Sequence, residues 1–133
     1  FHFHVYWLTR DAHAKEAAYK LRDRIIELNE LGFFVAVPLA ITNDAPVGPH
    51  PVGSYEVWVP TEYFARAYSW MIQNRPENLS IFVHPLTKME LQDHTTRATF
   101  LGPSYPLYTE HLEDDLKENP RQYPELGLGY SRQ

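Results

Sequence analysis

The chain has 133 residues, 44% of them hydrophobic and 22% charged, which suits one globular domain with a modest core. A net charge of -5 gives no basic footprint for nucleic acid or an anionic membrane, and no apolar run approaches the roughly 20 residues of a membrane span. The absence of cysteine excludes a disulfide framework and any thiolate-held zinc or iron–sulfur centre, and it fits a cytoplasmic location.

Residues 2–8 alternate and are rich in Val, Tyr, Trp and Phe, which predicts a strand. Thr9 or Asp11 can cap the helix that follows. Its apolar positions, Ala14, Ala17/Ala18, Leu21, Ile25, Leu28 and Leu31, recur at three- and four-residue steps. Gly32 is placed to end that helix in the left-handed conformation. Phe33 to Leu39 reads as a second strand, residues 42–53 as a Pro/Gly loop, and Ser54 to Val59 as a third strand. Pro60-Thr61 opens a second helix, with Thr61 as N-cap and Phe64, Ala67/Tyr68, Met71 and Ile72 on its buried stripe. Leu79 to Val83 is a fourth strand and Thr95 to Leu101 a fifth. Residues 105–133 read as a proline-rich arm with a short helical patch near Tyr108–Lys117, packing on the 1–104 domain or on a partner subunit.

The order β-α-β-β-α-β predicts an α+β, ferredoxin-like fold: one antiparallel sheet in the order 4-1-3-2, both helices on one face, and an extra C-terminal strand and arm. Phe3, Val5 and Trp7 then pack under the helices. His2, His4 and Tyr6 take the opposite, open face, because side chains two apart in a strand share a face. Strand 4 runs antiparallel beside strand 1, so His84 arrives next to His2 and His4, on the face it shares with Phe82 and Ser80. The segment 85–104, which carries His94, is available to cover that face.

Five of the seven histidines fall in three short stretches: His2 and His4, His50 in Gly-Pro-His-Pro, and His84 followed by Asp93-His94. Neutral imidazole is the commonest protein ligand for zinc, iron and copper. His2, His4 and His84 are the expected metal ligands. His94 is a further ligand or a proton-transfer group, and Asp93 or Glu90 could complete a two-His-one-carboxylate set. The prolines beside His50 present it rigidly, which suits an acid, base or substrate contact. Simple topology puts its loop at the other end of the sheet from His84. His50 therefore needs that loop to curl under the open face, or a partner subunit to deliver it, unless it is only structural. Glu56 reads as a strand-surface residue, and His13 and His111 as solvent-facing. Arg75 and Arg97 can pair with a substrate carboxylate, and Tyr6, Phe82 and Trp70 can wall a planar ring.

These motifs resemble the DOPA 4,5-dioxygenase family of fungi and bacteria. The resemblance is carried by Phe1-His2-Phe3-His4-Val5-Tyr6, by Val47-Gly48-Pro49-His50-Pro51 followed by Tyr55, and by Trp70 with Asn74-Arg75. It continues through Ile81-Phe82-Val83-His84-Pro85-Leu86-Thr87 and from Asp93-His94 to Leu101-Gly102, so it covers residues 1 to about 104. It implies a ferredoxin-like homodimer that performs extradiol cleavage of a catechol with Fe(II) and O2. In the fungal members the catechol is L-DOPA, opened on the way to pigments. Zinc or another divalent ion can replace iron in purified protein. On this reading His50 and His94 are catalytic, His2, His4 and His84 hold the metal, and Tyr6, Arg75 and Phe82 contact substrate. The competing class is a non-catalytic, dimeric ferredoxin-like module that binds a small ligand on the open face. Metal content and a test for ring-opened product separate the two.

Overall fold

A computed structural model describes residues 1–129. Strands β1 (His2–Trp7), β2 (Val37–Pro38), β3 (Gly53–Trp58), β4 (Ser80–His84) and β5 (Thr99–Leu101) form one sheet in the order β2-β3-β1-β4-β5. Every pair is antiparallel. This is the expected ferredoxin-like 4-1-3-2 arrangement, with β5 added beside β4. Two long helices, α1 (Ala12–Glu30) and α2 (Phe64–Asn74), cover one face, and a short α3 (Glu90–His94) belongs to the cover of the other.

The period-two pattern decides which residues meet. Phe3, Val5 and Trp7 of β1 join Tyr55 and Val57 of β3 and Ile81 and Val83 of β4 in the core. Ala14, Ala18, Leu21, Ile25 and Leu28 of α1, with Ala67 and Met71 of α2, close that core from above. Burying side chains such as Phe3 and Val5 contributes ~1.5–3 kcal/mol each. The Tyr55 hydroxyl donates to the Ala18 carbonyl at 2.7 Å and ties β3 to α1. Asp11 caps α1 by accepting from the Ala14 N–H at 3.0 Å. Gly32, at φ +79°, turns the chain out of the helix as expected.

Five local expectations change. The second strand is two residues long, not seven, because the backbone before it bonds elsewhere: the Phe33 N–H donates to the Leu28 carbonyl and the Ala36 N–H to Asn29 Oδ1. Pro38 then has no N–H to offer the ladder. Thr61 does not cap the second helix by its side chain; Thr61–Tyr63 form a 3-10 turn that leads into α2. Ile72 is 54% exposed, since it sits about 100° around the helix from fully buried Met71. Residues 108–117 form no helix. Their backbone bonds to the segment before and within α3: Leu91 donates to the Glu113 carbonyl, and Leu116 to that of Lys88. The fifth strand starts at Thr99, not Thr95, because α3 and the turn after it take up residues 90–98.

The open face of the sheet is covered. The β2–β3 loop folds under it, held by the Val47–His50 and Asn43–Ser54 bridges and by the Tyr108 N–H on the Pro49 carbonyl. Residues 85–94 and 105–122 close the rest. The last four residues of the predicted arm lie outside the described residues.

Candidate metal centre

Register places the first three histidines. His2 of β1 pairs with His84 of β4, and His4 pairs with Phe82 on one side and Glu56 on the other. Antiparallel neighbours sharing a face hold their side chains in contact. His4 Nε2 lies 3.0 Å from His84 Nε2. One ligand nitrogen from each of His2, His4 and His84 lies within 4.8 Å of the others, and all three residues are buried. Two nitrogens 3.0 Å apart can both reach one ion at the ~2.0–2.1 Å usual for imidazole.

Two further rings join from outside the strands. The His50 ring centroid lies 4.2 Å from that of His4, and the His94 centroid 4.0 Å from that of His84. The β2–β3 loop does curl under the open face, so His50 reaches the cluster within one chain. Five imidazoles therefore stand together, while His13 and His111 are exposed.

Burial keeps four of these rings uncharged. It pushes His2 and His50 down to about 4, and His4 and His84 well below the ordinary imidazole range. The neighbouring rings add to the effect, because each would repel a second positive charge. Neutral imidazole is the form that binds metal.

Hydrogen bonds set which nitrogen is bare. His84 Nδ1 faces the Pro85 carbonyl at 2.7 Å, and a carbonyl only accepts, so Nδ1 carries the hydrogen and Nε2 offers its lone pair. His94 Nδ1 faces the Glu90 carbonyl at 2.8 Å in the same way. His2 Nδ1 lies 3.1 Å from Glu56 Oε1, and its Nε2 lies 3.0 Å from Gln122 Oε1. A neutral His2 has one hydrogen to place. On Nδ1, toward the carboxylate, it leaves Nε2 free for a cation once the Gln122 carboxamide turns aside. A ligand histidine oriented by a carboxylate or carbonyl on its other nitrogen is the usual support of a metal site. Such a donor set fits a divalent transition ion held by His2, His4 and His84.

Both carboxylates that could complete a two-His-one-carboxylate set have other partners. Asp93, buried, accepts from the Thr87 N–H at 2.7 Å and from Thr87 Oγ1 at 2.8 Å, and it pairs with Arg97 at 3.2 Å. Glu90 accepts from the Glu113 N–H at 2.8 Å. Asp93 thereby fixes the turn that aims His94.

A cavity of about 270 Å³ opens beside the cluster. His2, His4, His50, His84 and His94 border it, with Glu56, Leu112 and Gln122 among the other walls. A volume of roughly 150 Å³ suffices for a benzene ring. Tyr6 and Phe82 do not border it. They are buried behind the histidines, their rings stacked at 5.9 Å, and the Tyr6 hydroxyl lies 2.6 Å from His50 Nδ1. Arg75 is also apart from the cavity, with Nη1 bonded to the carbonyls of Leu79 and Pro76.

Two polar neighbours stand closer to the cluster than their sequence context implies. Glu56 alternates with core residues Tyr55 and Val57, so period two already put it on the open face. What the sequence did not show was how closely the cover packs on it: Glu56 is largely shielded from water, which raises its carboxyl to about 7. Gln122 lies in the arm, where no strand or helix periodicity places it.

Comparisons agree with this geometry. A DOPA 4,5-dioxygenase of Amanita muscaria is 52% identical over 130 residues, which are 98% of this chain and 57% of the relative. An uncharacterised 21.2 kDa protein of Botryotinia fuckeliana is 35% identical over 116 residues, 80% of this chain and 60% of that protein. The chain thus spans under two thirds of the length of either curated relative. The crystal structure of a candidate dioxygenase from Nostoc punctiforme superposes with a TM-score of 0.66 at 33% identity, covering 80% of this chain and 84% of that one. The sequence matches the Dopa 4,5-dioxygenase family over residues 1–111, and with the histidine cluster on a ferredoxin-like sheet the chain belongs to that family.

Proposed function

We propose that this domain is a non-haem Fe(II)-dependent extradiol dioxygenase that opens a catechol ring with O2, its substrate L-DOPA and its product the 4,5-seco acid. The observation that carries this reading is the convergence of His2, His4 and His84 on one wall of a ring-sized cavity. The 52% identity to a protein named DOPA 4,5-dioxygenase supports the substrate. We also propose a homodimer, on the family resemblance.

A bound Fe(II) ion supplies Lewis-acid and redox chemistry toward the catechol and O2 together. The chain supplies the rest. The three strand histidines hold the ion on a rigid ladder. His50 and His94 border the same cavity and can give and take the protons that a catechol must lose and a ring-opened product must gain. The β2–β3 loop, the 85–94 turn and the arm keep bulk water from the cluster.

The test is turnover with L-DOPA by anaerobically purified, iron-loaded protein, followed by the appearance of a yellow ring-opened product. His50→Gln should retain metal stoichiometry and lose roughly a hundredfold or more in kcat, as expected when a proton-transfer group is removed. Equal loss of metal and activity would make His50 a ligand instead. Absence of any product from catechols by the iron-loaded protein would sink the dioxygenase reading.

A further inference from the structure

Deepening the proposed dioxygenase reading, and resting on it for the catalytic part, we infer that Tyr6 is a positioning residue that locks His50 as a hydrogen-bond donor, leaving His94 as the proton acceptor. The Tyr6 hydroxyl stands 2.6 Å from His50 Nδ1, and it has no other hydrogen-bond partner among the described residues. Tyr6 is fully buried. A phenol keeps its hydrogen at neutral pH. A buried O–H needs an acceptor. Were His50 to donate from Nδ1, the phenol hydrogen would be stranded. The hydroxyl therefore donates and Nδ1 accepts. An imidazole that accepts at Nδ1 carries its hydrogen on Nε2 alone.

The opposite holds for His94. Its Nδ1 faces the Glu90 carbonyl at 2.8 Å, and a carbonyl cannot donate. The ring in its neutral form has a bare Nε2. His50 and His94 border one cavity in complementary states, one with an N–H to give and one with a lone pair to receive. The first suits a hydrogen bond donated to the negative charge that develops on an oxygen as the ring opens. The second suits removal of a catechol proton. Tyr6 cannot easily swing away. Its ring is stacked on Phe82 at 5.9 Å and is flanked by Phe100 at 6.1 Å and Tyr105 at 5.9 Å. The phenol thus contributes through His50 and not by touching substrate.

The experiment is nitrogen NMR of the full chain labelled at its histidines, with diamagnetic zinc added, on wild type and Tyr6→Phe. In wild type, His50 should show its hydrogen on Nε2 and His94 on Nδ1. In Tyr6→Phe, which keeps every ring contact, His50 should become a mixture of both forms while His94 is unmoved. Iron-loaded Tyr6→Phe should lose roughly ten- to a hundredfold in kcat, the usual effect of removing a group that orients a working histidine, with KM and metal content nearly unchanged. A His50 hydrogen on Nδ1 in wild type would overturn the proposal, as would a His50 tautomer indifferent to Tyr6→Phe. The NMR result needs no turnover, so loss of the dioxygenase reading would leave it independently legible.

Discussion

The histidine cluster makes a quantitative demand on stability. His84 is far along the chain from His2 and His4, so unfolding scatters the three ligands and leaves only the His2–His4 pair. A divalent ion must bind the folded state far more tightly, and it stabilises by mass action. At free metal a hundred times its Kd the gain is about 2.7 kcal/mol. A chain of 133 residues, at about 2.1 cal/mol/K of unfolding entropy per residue, shifts its Tm by about 3.6 °C per kcal/mol. Metal addition should therefore raise Tm by about 10 °C, and each further tenfold of metal by about 5 °C. The assay is thermal unfolding with chelator and then with Fe(II) under anaerobic conditions or with Zn(II). His4→Ala should abolish the shift, because His4 is buried at the centre of the cluster. His13→Ala, on the exposed side of α1, should leave it intact. No shift with either ion, or an undiminished shift in His4→Ala, would refute the assignment.

Other outcomes follow from burial and close packing. Metal-free protein should weaken as pH falls from about 6.5 to about 4. The unfolded chain binds protons in this window that buried His2 and His50, both lowered to about 4, refuse, so each contributes a loss of up to roughly 3 kcal/mol. His4 and His84 act in the same direction, and Glu56, raised to about 7, opposes them as one group against four. Urea melts across that range check the sign, and a stability that rose on acidification would contradict it. Gly53→Ala should cost about 1–3 kcal/mol, since a Cβ there would stand 2.3 Å from Trp7 Cε2 inside a fully buried contact; an unchanged urea midpoint would show that the indole can yield.

How much of this was legible in the sequence depends on how local the physics is. Alternation in residues 2–7 told which side chains face away from the helices, and connection rules told that β4 would lie beside β1. Together they bring His84 to His2, and the ladder pairs those two residues. Long-range bonds were not legible. The path of the His50 loop depends on the Tyr108 N–H reaching Pro49 from the arm, and no periodicity encodes that contact. The helical patch at 108–117 failed for the same reason: its backbone takes partners at Lys88 and Leu91 and closes only one turn of its own, from the Leu112 N–H to the Thr109 carbonyl. Tyr6 and Phe82 were placed on the correct face, yet the covering rings turned them from cavity wall into support for the histidines. Arg75 has the fork that suits a carboxylate, but its position after α2 commits it to the carbonyls of Leu79 and Pro76.

The two kinds of histidine come from two kinds of structure. His2, His4 and His84 sit within paired strands, where two ladders fix both register and face. His50 and His94 come from a loop and a five-residue helix, held by isolated bridges, single hydrogen bonds and the Asp93–Thr87 clasp. Elements with few backbone bonds open locally at lower free energy than a central strand. Damage to the covers should thus uncouple turnover from metal retention, whereas damage to β1 or β4 should remove both. The division suits the proposed chemistry, in which the ion must stay put while protons, substrate and product pass through the cover.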